Sequence, residues 1–464
     1  MITLRPYQNN LIGETRSNML IGNKSILIQA PCGSGKTLLT AEMLRLSSIK
    51  GKRAWFIVHR RELLKQSIMA FDQVGLKVGI VASGFPMAKR MPVQVCSIQT
   101  LARRYKDLPA PDLIIYDECH HLGAKSWSTI YDRYQNSFHI GLTATPWRLD
   151  GKGLRCYFKK MIQGPSVEWL IENGFLSKYR IYAPSKVDTN GLHTRTGDYV
   201  KSELALAIDK PSITGDAIKH YIKLCSGKRA IVFCVSIEHS KHVVEQFNAN
   251  GISAEHVDGE TPREQRDAAI KRFISGRTLI LSNVELFGEG FDVPATEASI
   301  LLRPTKSLSM HIQQVGRALR IFEGKEQAII LDHAGNTLVH GLPDDDHQWS
   351  LDGVDKTNKN NADNGPSVKV CPKCFAAQES GSKSCKFCGV VFEVKYRKVD
   401  HVDGELTEID IVAARRKRLV EQGSCKDFDA LVALGKRKNY KRPYLWARYV
   451  MRSRKQKEEA KSGR

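Results

Sequence analysis

The 464-residue chain has no run of 18 apolar residues, no basic amphipathic helix with an apolar face, and no secretory leader in its opening MITLRPYQNN. These absences set aside a membrane span, a membrane-surface helix and export, so a cytoplasmic protein without a membrane partner is expected. No internal repeat recurs at solenoid periods, which excludes stacked-repeat architectures. A disulfide scaffold is also excluded, because the eleven cysteines are odd in number and Cys32, Cys96, Cys119, Cys156, Cys225, Cys234 and Cys425 lack framework spacing. Negative charge is scarce: 49 Asp and Glu stand against 71 Lys and Arg, a net charge of +22. That surplus suits a polyanionic partner, with an acidic membrane surface the weaker reading.

What is present begins with length and apolar content. At ~100–200 residues per domain the chain is too long for one core, and its 42% hydrophobic residues can fill two. Short β-branched runs alternate with helical patterns at Ser25–Gln29, Ala54–Val58, Val93–Cys96, Leu113–Tyr116 and His139–Thr143. The alternation restarts at Ala230–Val235, Ser253–Val257, Thr278–Ser282, Ser299–Leu302 and Ala328–Leu331. Such alternation predicts an α/β fold with two tandem parallel-sheet domains, at residues 1–165 and 211–340, joined by a connecting segment at 166–210. The stretch GLPDDDHQWSLDGVDKTNKNNADNGPS, residues 341–367, reads as a solvated polar linker, with a four-cysteine module at 368–395 and a basic region at 396–464.

Directly after the first strand comes Ala30-Pro31-Cys32-Gly33-Ser34-Gly35-Lys36-Thr37, then a helical pattern. Glycines permit a tight turn whose N–H groups face phosphates, Lys36 offers a cation to the β and γ oxygens, and Thr37 offers a hydroxyl to Mg²⁺. An isolated GSGKT can occur by chance; a strand before it and a helix after it favour a nucleotide site for ATP. The run Leu113–Tyr116 delivers Asp117 and Glu118 to a strand's C-terminal end, where Asp117 serves magnesium and Glu118 activates the attacking water. Two exposed acids on a turn would be the bland alternative. Cys119 and His121 read as packing or solvent residues. In Gln313-Gln314-Val315-Gly316-Arg317-Ala318-Leu319-Arg320 the arginines are three apart, which places both on one helix face, able to reach a γ-phosphoryl across an interdomain cleft.

This ordered set resembles the superfamily 2 helicases, specifically the DEAD/DEAH-related group with two RecA-like domains, over about Leu4 to Arg320. The resemblance implies that Gln8 in Leu4-Arg5-Pro6-Tyr7-Gln8 reads the adenine edge with Arg5 beside the ring. It implies that Thr143-Ala144-Thr145 links ATP state to domain closure, that Gly290 and Asp292 face the nucleotide, and that Gln313, Gly316, Arg317 and Arg320 form the arginine motif. His59, Arg60, Gln99, Thr100, Ser282 and Asn283 are implied to face nucleic acid. The phrases LRPYQ, DECH, GLTATPWRL, GFDVP, LRPTKSLSMHIQQVGRALR and ILDHAGN, followed by a cysteine-rich module, resemble the RadD-like bacterial and phage helicases. That closer resemblance implies DNA as the favoured nucleic acid, a role in replication, recombination or repair, and contact with a single-strand-binding protein.

Cys371-Pro372-Lys373-Cys374 and Cys385-Lys386-Phe387-Cys388 are two C-x-x-C knuckles ten residues apart. Four thiolates at this spacing suit one tetrahedral structural zinc, ahead of an iron–sulfur cluster or redox thiols. From Ile411 onward seventeen Lys and Arg face five Asp and Glu, with Tyr440, Tyr444, Trp446 and Tyr449 interleaved. Either these aromatics stack on unpaired bases, or they form the core of a small helical cap. Two functions fit: an ATP-driven helicase or translocase, or a nucleic-acid-binding ATPase switch that recruits or remodels partners without unwinding.

Overall fold

The computed structural model describes residues 4–148, 151–184, 211–284, 295–345, 347–353, 368–379, 381–392, 420–425 and 427–438, with a few single positions between and beyond them. The chain divides into two compact units, Met1–Glu393 and Val394–Arg464. The first unit opens with α1 (Pro6–Leu20), β1 (Ser25–Gln29), α2 (Lys36–Ile49), β2 (Ala54–Val58), α3 (Arg61–Gln73) and β3 (Gly79–Val81). It continues through β4 (Val93–Ser97), α4 (Ile98–Arg104), β5 (Leu113–Asp117), α5 (Lys125–Arg133), β6 (Phe138–Thr143) and β7 (Lys160–Gln163). Their seven strands form one parallel sheet in the order β3-β4-β2-β5-β6-β1-β7. Every residue of β1 and β2 is buried, as a parallel sheet with helices on both faces requires.

The chain then runs through α6 (Val167–Glu172), β8 (Tyr179–Tyr182), a small antiparallel ladder of β9 (Thr194–Arg195) and β10 (Asp198–Tyr199), and α7 (Pro211–Cys225). Next come β11 (Ala230–Phe233), α8 (Ile237–Ala249), β12 (Ala254–Val257), α9 (Arg263–Ile274), β13 (Ile280–Asn283) and β14 (Ala298–Leu301). Then follow α10 (Leu308–Ala318), β15 (Ala328–Asp332) and α11 (Asn336–His340). The second sheet is also wholly parallel, in the order β12-β13-β11-β14-β15-β8. Residues 166–210 were expected to connect the domains, yet β8 within them pairs with β15 and forms this sheet's edge. Upstream of it, α6 starts on the Ser166 hydroxyl, which accepts the Trp169 N–H at 3.1 Å. Trp169 and Phe175 then set their rings on Tyr7 of α1.

A second departure lies after α11. Residues 347–353, expected to be solvated linker, run back from the second domain and dock on the first. Trp349 packs on Trp147 with centroids 4.7 Å apart, and the Trp147 indole donates to the Ser350 carbonyl at 2.9 Å. Arg155 grips Asp352 through two bonds of 2.8 and 2.7 Å. Between these anchors Leu351, only 4% exposed, joins the core formed by Trp127, Leu154 and Phe158. Truncating this buried leucine removes packing that the rigid surroundings cannot refill. Leu351→Ala is therefore expected to cost about 2–5 kcal/mol of stability, read as a shift of the urea unfolding midpoint at unchanged slope.

Cys371 and Cys374 lie in the turn joining β16 (Val368–Val370) to β17 (Ala377–Glu379), an antiparallel pair, and Cys385 and Cys388 follow β17. This module leans on the second sheet's edge through a bridge between Tyr182 and Ala376. In the second unit, α12 (Phe428–Arg437) buries Leu431, Val432 and Leu434, and Ala447, Val450 and Trp446 pack against that face. Tyr444 stays 58% exposed beneath the Lys436 ammonium. The described part is thus a small helical core with Trp446 against it. Tyr440 and Tyr449 lie outside the described residues.

Candidate active site and metal centre

Between β1 and α2 the loop from Ala30 turns on Gly33 and Gly35, whose φ angles are 81° and 78°. These left-handed values are cheap for glycine and aim the backbone N–H groups and the start of α2 at one point. The Lys36 ammonium folds over the loop, 3.1 Å from the Ala30 carbonyl and 3.3 Å from that of Pro31. Thr37 is exposed in the first turn of α2. Gln8 is engaged with the phosphate loop. Its amide nitrogen donates to the Ser34 and Gly35 carbonyls at 3.1 and 3.2 Å, and its oxygen accepts from Arg5 N–H, so it ties α1 to the phosphate loop. Arg5 lies over the Phe175 ring at 4.6 Å and donates to Tyr7 Oη.

The acidic pair stands where β5 ends. Burial, reinforced by the neighbouring Glu118 carboxylate, pushes the Asp117 carboxyl up to about 6, against the opposing pull of Lys36 and His59. A shielded acid of this kind beside a lysine and a threonine suits a divalent cation, whose charge would restore full ionisation. Glu118 holds a left-handed backbone, φ 46°, an uncommon conformation for a non-glycine residue and one that concentrates at functional sites. Its carboxylate lies 3.3 Å from Thr143 Oγ1 and 3.5 Å from His120 Nδ1. His120, buried and 3.2 Å from Thr143 Oγ1, is a site residue to which sequence reasoning assigned no role; its adjacency to Glu118 was the available signal. Cys119 is fully buried and its thiol is held well above its ordinary range by burial and then by the two carboxylates, as a packing residue would be.

From Thr143 the connections cross to the second domain. Thr143 Oγ1 accepts the Thr145 N–H at 3.1 Å, and Thr145 Oγ1 meets Ser309 Oγ of α10 at 2.7 Å. A Glu62–Arg266 ion pair at 2.7 Å and a bond from Arg60 to the Leu286 carbonyl span the same cleft. Helix α10 lies so close to the phosphate loop that a Cβ on Gly316 would stand 2.7 Å from Cys32 Cβ. Gln313 and Arg317 are buried on this helix. The two arginines do not share a helix face as expected, because α10 stops at Ala318. Lys325 bonds the Ala318 and Arg320 carbonyls, and Ser177 N–H takes that of Leu319, so the next turn does not form. Arg320 thereby leaves the helix and lies beside Gly33 and Cys32, where burial lowers its pKa.

His59, Arg60, Gln99 and Thr100 gather where β2 and β4 end, with Gln99 donating to the His59 carbonyl at 2.9 Å. Ser282 and Asn283, expected to face nucleic acid, are instead completely buried. Ser282 bonds Ser240 at 2.6 Å and Asn283 donates to the Val232 carbonyl at 2.8 Å, because central strand positions must satisfy their polar atoms internally. Gly290 and Asp292 lie outside the described residues.

Cys371, Cys374, Cys385 and Cys388 bring their sulfurs within 4.8 Å of one another. The Cys371–Cys388 and Cys374–Cys385 separations are 3.5 and 3.6 Å. A tetrahedron of 2.3 Å metal–sulfur bonds has edges of ~3.8 Å, so the donor set fits a zinc ion.

Two parallel-sheet domains with a phosphate loop, an acidic pair and an arginine brought from the second domain define a two-domain nucleotide hydrolase. Residues 1–148 match the family model "Type III restriction enzyme, res subunit", and residues 215–322 match "Helicase conserved C-terminal domain". A 51.5 kDa protein of a Lactococcus phage (isolate 7-9) is 36% identical over 398 residues, 85% of each chain. A Saccharomyces cerevisiae protein described as an ATP-dependent helicase is 30% identical over 72% of this chain, which spans about half (52%) of that relative's length. Among solved structures, a fragment described as the HsdR subunit of a type I restriction enzyme from Vibrio vulnificus YJ016 aligns with TM-score 0.59 and 27% identity. The alignment covers 74% of this chain and 67% of that one. The chain belongs to the superfamily 2 helicases and is an ATPase of that superfamily. Its chemistry uses ATP with Mg²⁺, and its partner is nucleic acid. No helix among the described residues is long and apolar enough to cross a membrane.

Proposed function

We propose that the protein is a DNA translocase acting in replication, recombination or repair, whose hydrolysis step requires closure of its two domains on a strand. The observation that carries this reading is Arg320 of the second domain lying against the phosphate loop of the first. In this reading Lys36 holds the phosphates, Thr37 and Asp117 hold magnesium, Glu118 draws the proton from the attacking water, and Arg320, with Arg317 and Gln313, faces the developing charge. Bound magnesium supplies neutralisation of the phosphate oxygens. Each opening of the cleft withdraws the arginine, so turnover and domain movement become one cycle. DNA is favoured over RNA because a relative and a structural neighbour are described as subunits of type I restriction enzymes, and the RadD-like motifs point the same way. Those motifs extend the proposal to contact with a single-strand-binding protein.

The test is ATP hydrolysis by the purified chain with no nucleic acid, single-stranded DNA, forked DNA or RNA. Stimulation by a DNA form, with displacement of a protein block from that DNA, supports the translocase; stimulation by RNA alone overturns the DNA assignment. Zinc at the four cysteines has its own check. Cys374→Ser is expected to release the metal and weaken DNA binding more than basal hydrolysis, because the short module has little apolar core of its own. Unchanged zinc content by elemental analysis would refute it.

A further inference from the structure

Among the described residues, two that are not glycine hold a left-handed backbone: Glu118 and Phe375, the latter at φ 59°. Glu118 belongs to the hydrolysis site, whereas Phe375 directly follows the second cysteine of the first knuckle. The corresponding residue of the second knuckle is Gly389, φ 72°. Both turns close with the same hydrogen bond, from Phe375 N–H to the Cys371 carbonyl at 2.9 Å and from Gly389 N–H to the Cys385 carbonyl at 3.0 Å. The knuckle therefore imposes the left-handed conformation. Glycine meets it without strain, and a bulky aromatic residue does not.

Packing offers Phe375 little compensation. Its side chain is 49% exposed, whereas Phe392, 8% exposed, packs with Cys371 and Cys385 in the module's small core. Phe387 of the second knuckle is also exposed, with the Arg180 guanidinium 5.1 Å over its ring. Lys373, two residues before Phe375, is exposed as well. The knuckle's location adds to this. Ala183 N–H donates to the Phe375 carbonyl at 3.3 Å, just past the end of β8, so Phe375 prolongs the C-terminal edge of the second sheet. That is the edge at which open α/β sheets present their ligands. At ~4.8 Å per strand Phe375, one position beyond β8, lies ~24 Å across the sheet from the end of β13.

Resting on the nucleic-acid reading above, we propose that Phe375 is a stacking platform for an unpaired base of single-stranded nucleic acid, with Lys373 of the same knuckle serving a flanking phosphate. An exposed aromatic beside a cation binds any base through its face, so the platform is indifferent to sequence. Backbone strain at this position is retained for that ring.

The test is F375G, which gives the first knuckle the residue of the second. Zinc content and melting temperature should equal or exceed those of the wild type. Affinity for an oligo(dT) strand, measured by fluorescence anisotropy, should fall about tenfold, with the slope of log affinity against log salt unchanged because no phosphate contact is removed. F375W should restore binding. Unchanged oligo(dT) affinity in F375G overturns the platform and leaves the helicase reading intact. A wild-type protein that binds no oligonucleotide overturns both.

Discussion

Glu118→Gln lowers the rate of ATP turnover by roughly 10²–10⁴-fold, the range a positioned general base contributes. Glutamine has the shape of glutamate and keeps an oxygen toward Thr143, so the 3.3 Å contact survives and the fold is expected to persist. The amide lacks basicity: it can orient water and cannot accept its proton. The substitution therefore acts on kcat while ATP affinity, set by the phosphate loop and Lys36, stays near wild type. Phosphate release at saturating nucleic acid, paired with nucleotide binding and a melting curve, separates these effects. Turnover at the wild-type rate would remove Glu118 from the chemistry and direct attention to Asp117.

Arg320→Ala is expected to lower kcat about 10³-fold or more, the scale of an arginine supplied to a transferring phosphoryl. Its position gives the reason. Burial beside Cys32 and Gly33 removes water that would otherwise screen its charge, so the guanidinium acts at close to full strength on charge developing at the loop. Alanine leaves nucleic-acid binding largely intact, since the residue faces the nucleotide side. Arg320→Lys should rescue little, because a single ammonium does not reproduce the planar fork. Single-turnover hydrolysis checks this directly, and a variant whose nucleic-acid affinity falls while its single-turnover rate holds would move Arg320 to the strand-binding side.

The ten strands read from sequence recur within one or two residues; nine of them are interior parallel strands, which read as near-continuous apolar runs, and β12 is an edge strand. Of the thirteen strands in the two parallel sheets, three escaped that reading: β3 is three residues long, while Lys160–Gln163 and Tyr179–Tyr182 carry polar residues at sheet edges, where pairing rather than pattern decides. The phosphate loop and acidic pair were legible because their chemistry is local. Arg320 was legible as a residue and not as a conformation, since Lys325 and Ser177, distant from it in pattern, end the helix. Burial of Ser282 and Asn283 and the engagement of Gln8 with the loop are likewise decided by partners far along the chain. The stretch HQWSLDG reads as polar because only Trp349 and Leu351 make its apolar contact, too few for any period to show.

That stretch also decides where the motor can be cut. A fragment trimmed after His340, at the boundary composition suggests, would keep both sheets but strip Leu351 and Trp349 from their seats, leaving Trp147 and the pocket beside Leu154 and Phe158 open to water. Such a fragment is prone to self-association through the uncovered patch. Ending at Gly353 instead keeps this seal, thirteen residues beyond the boundary that composition suggests.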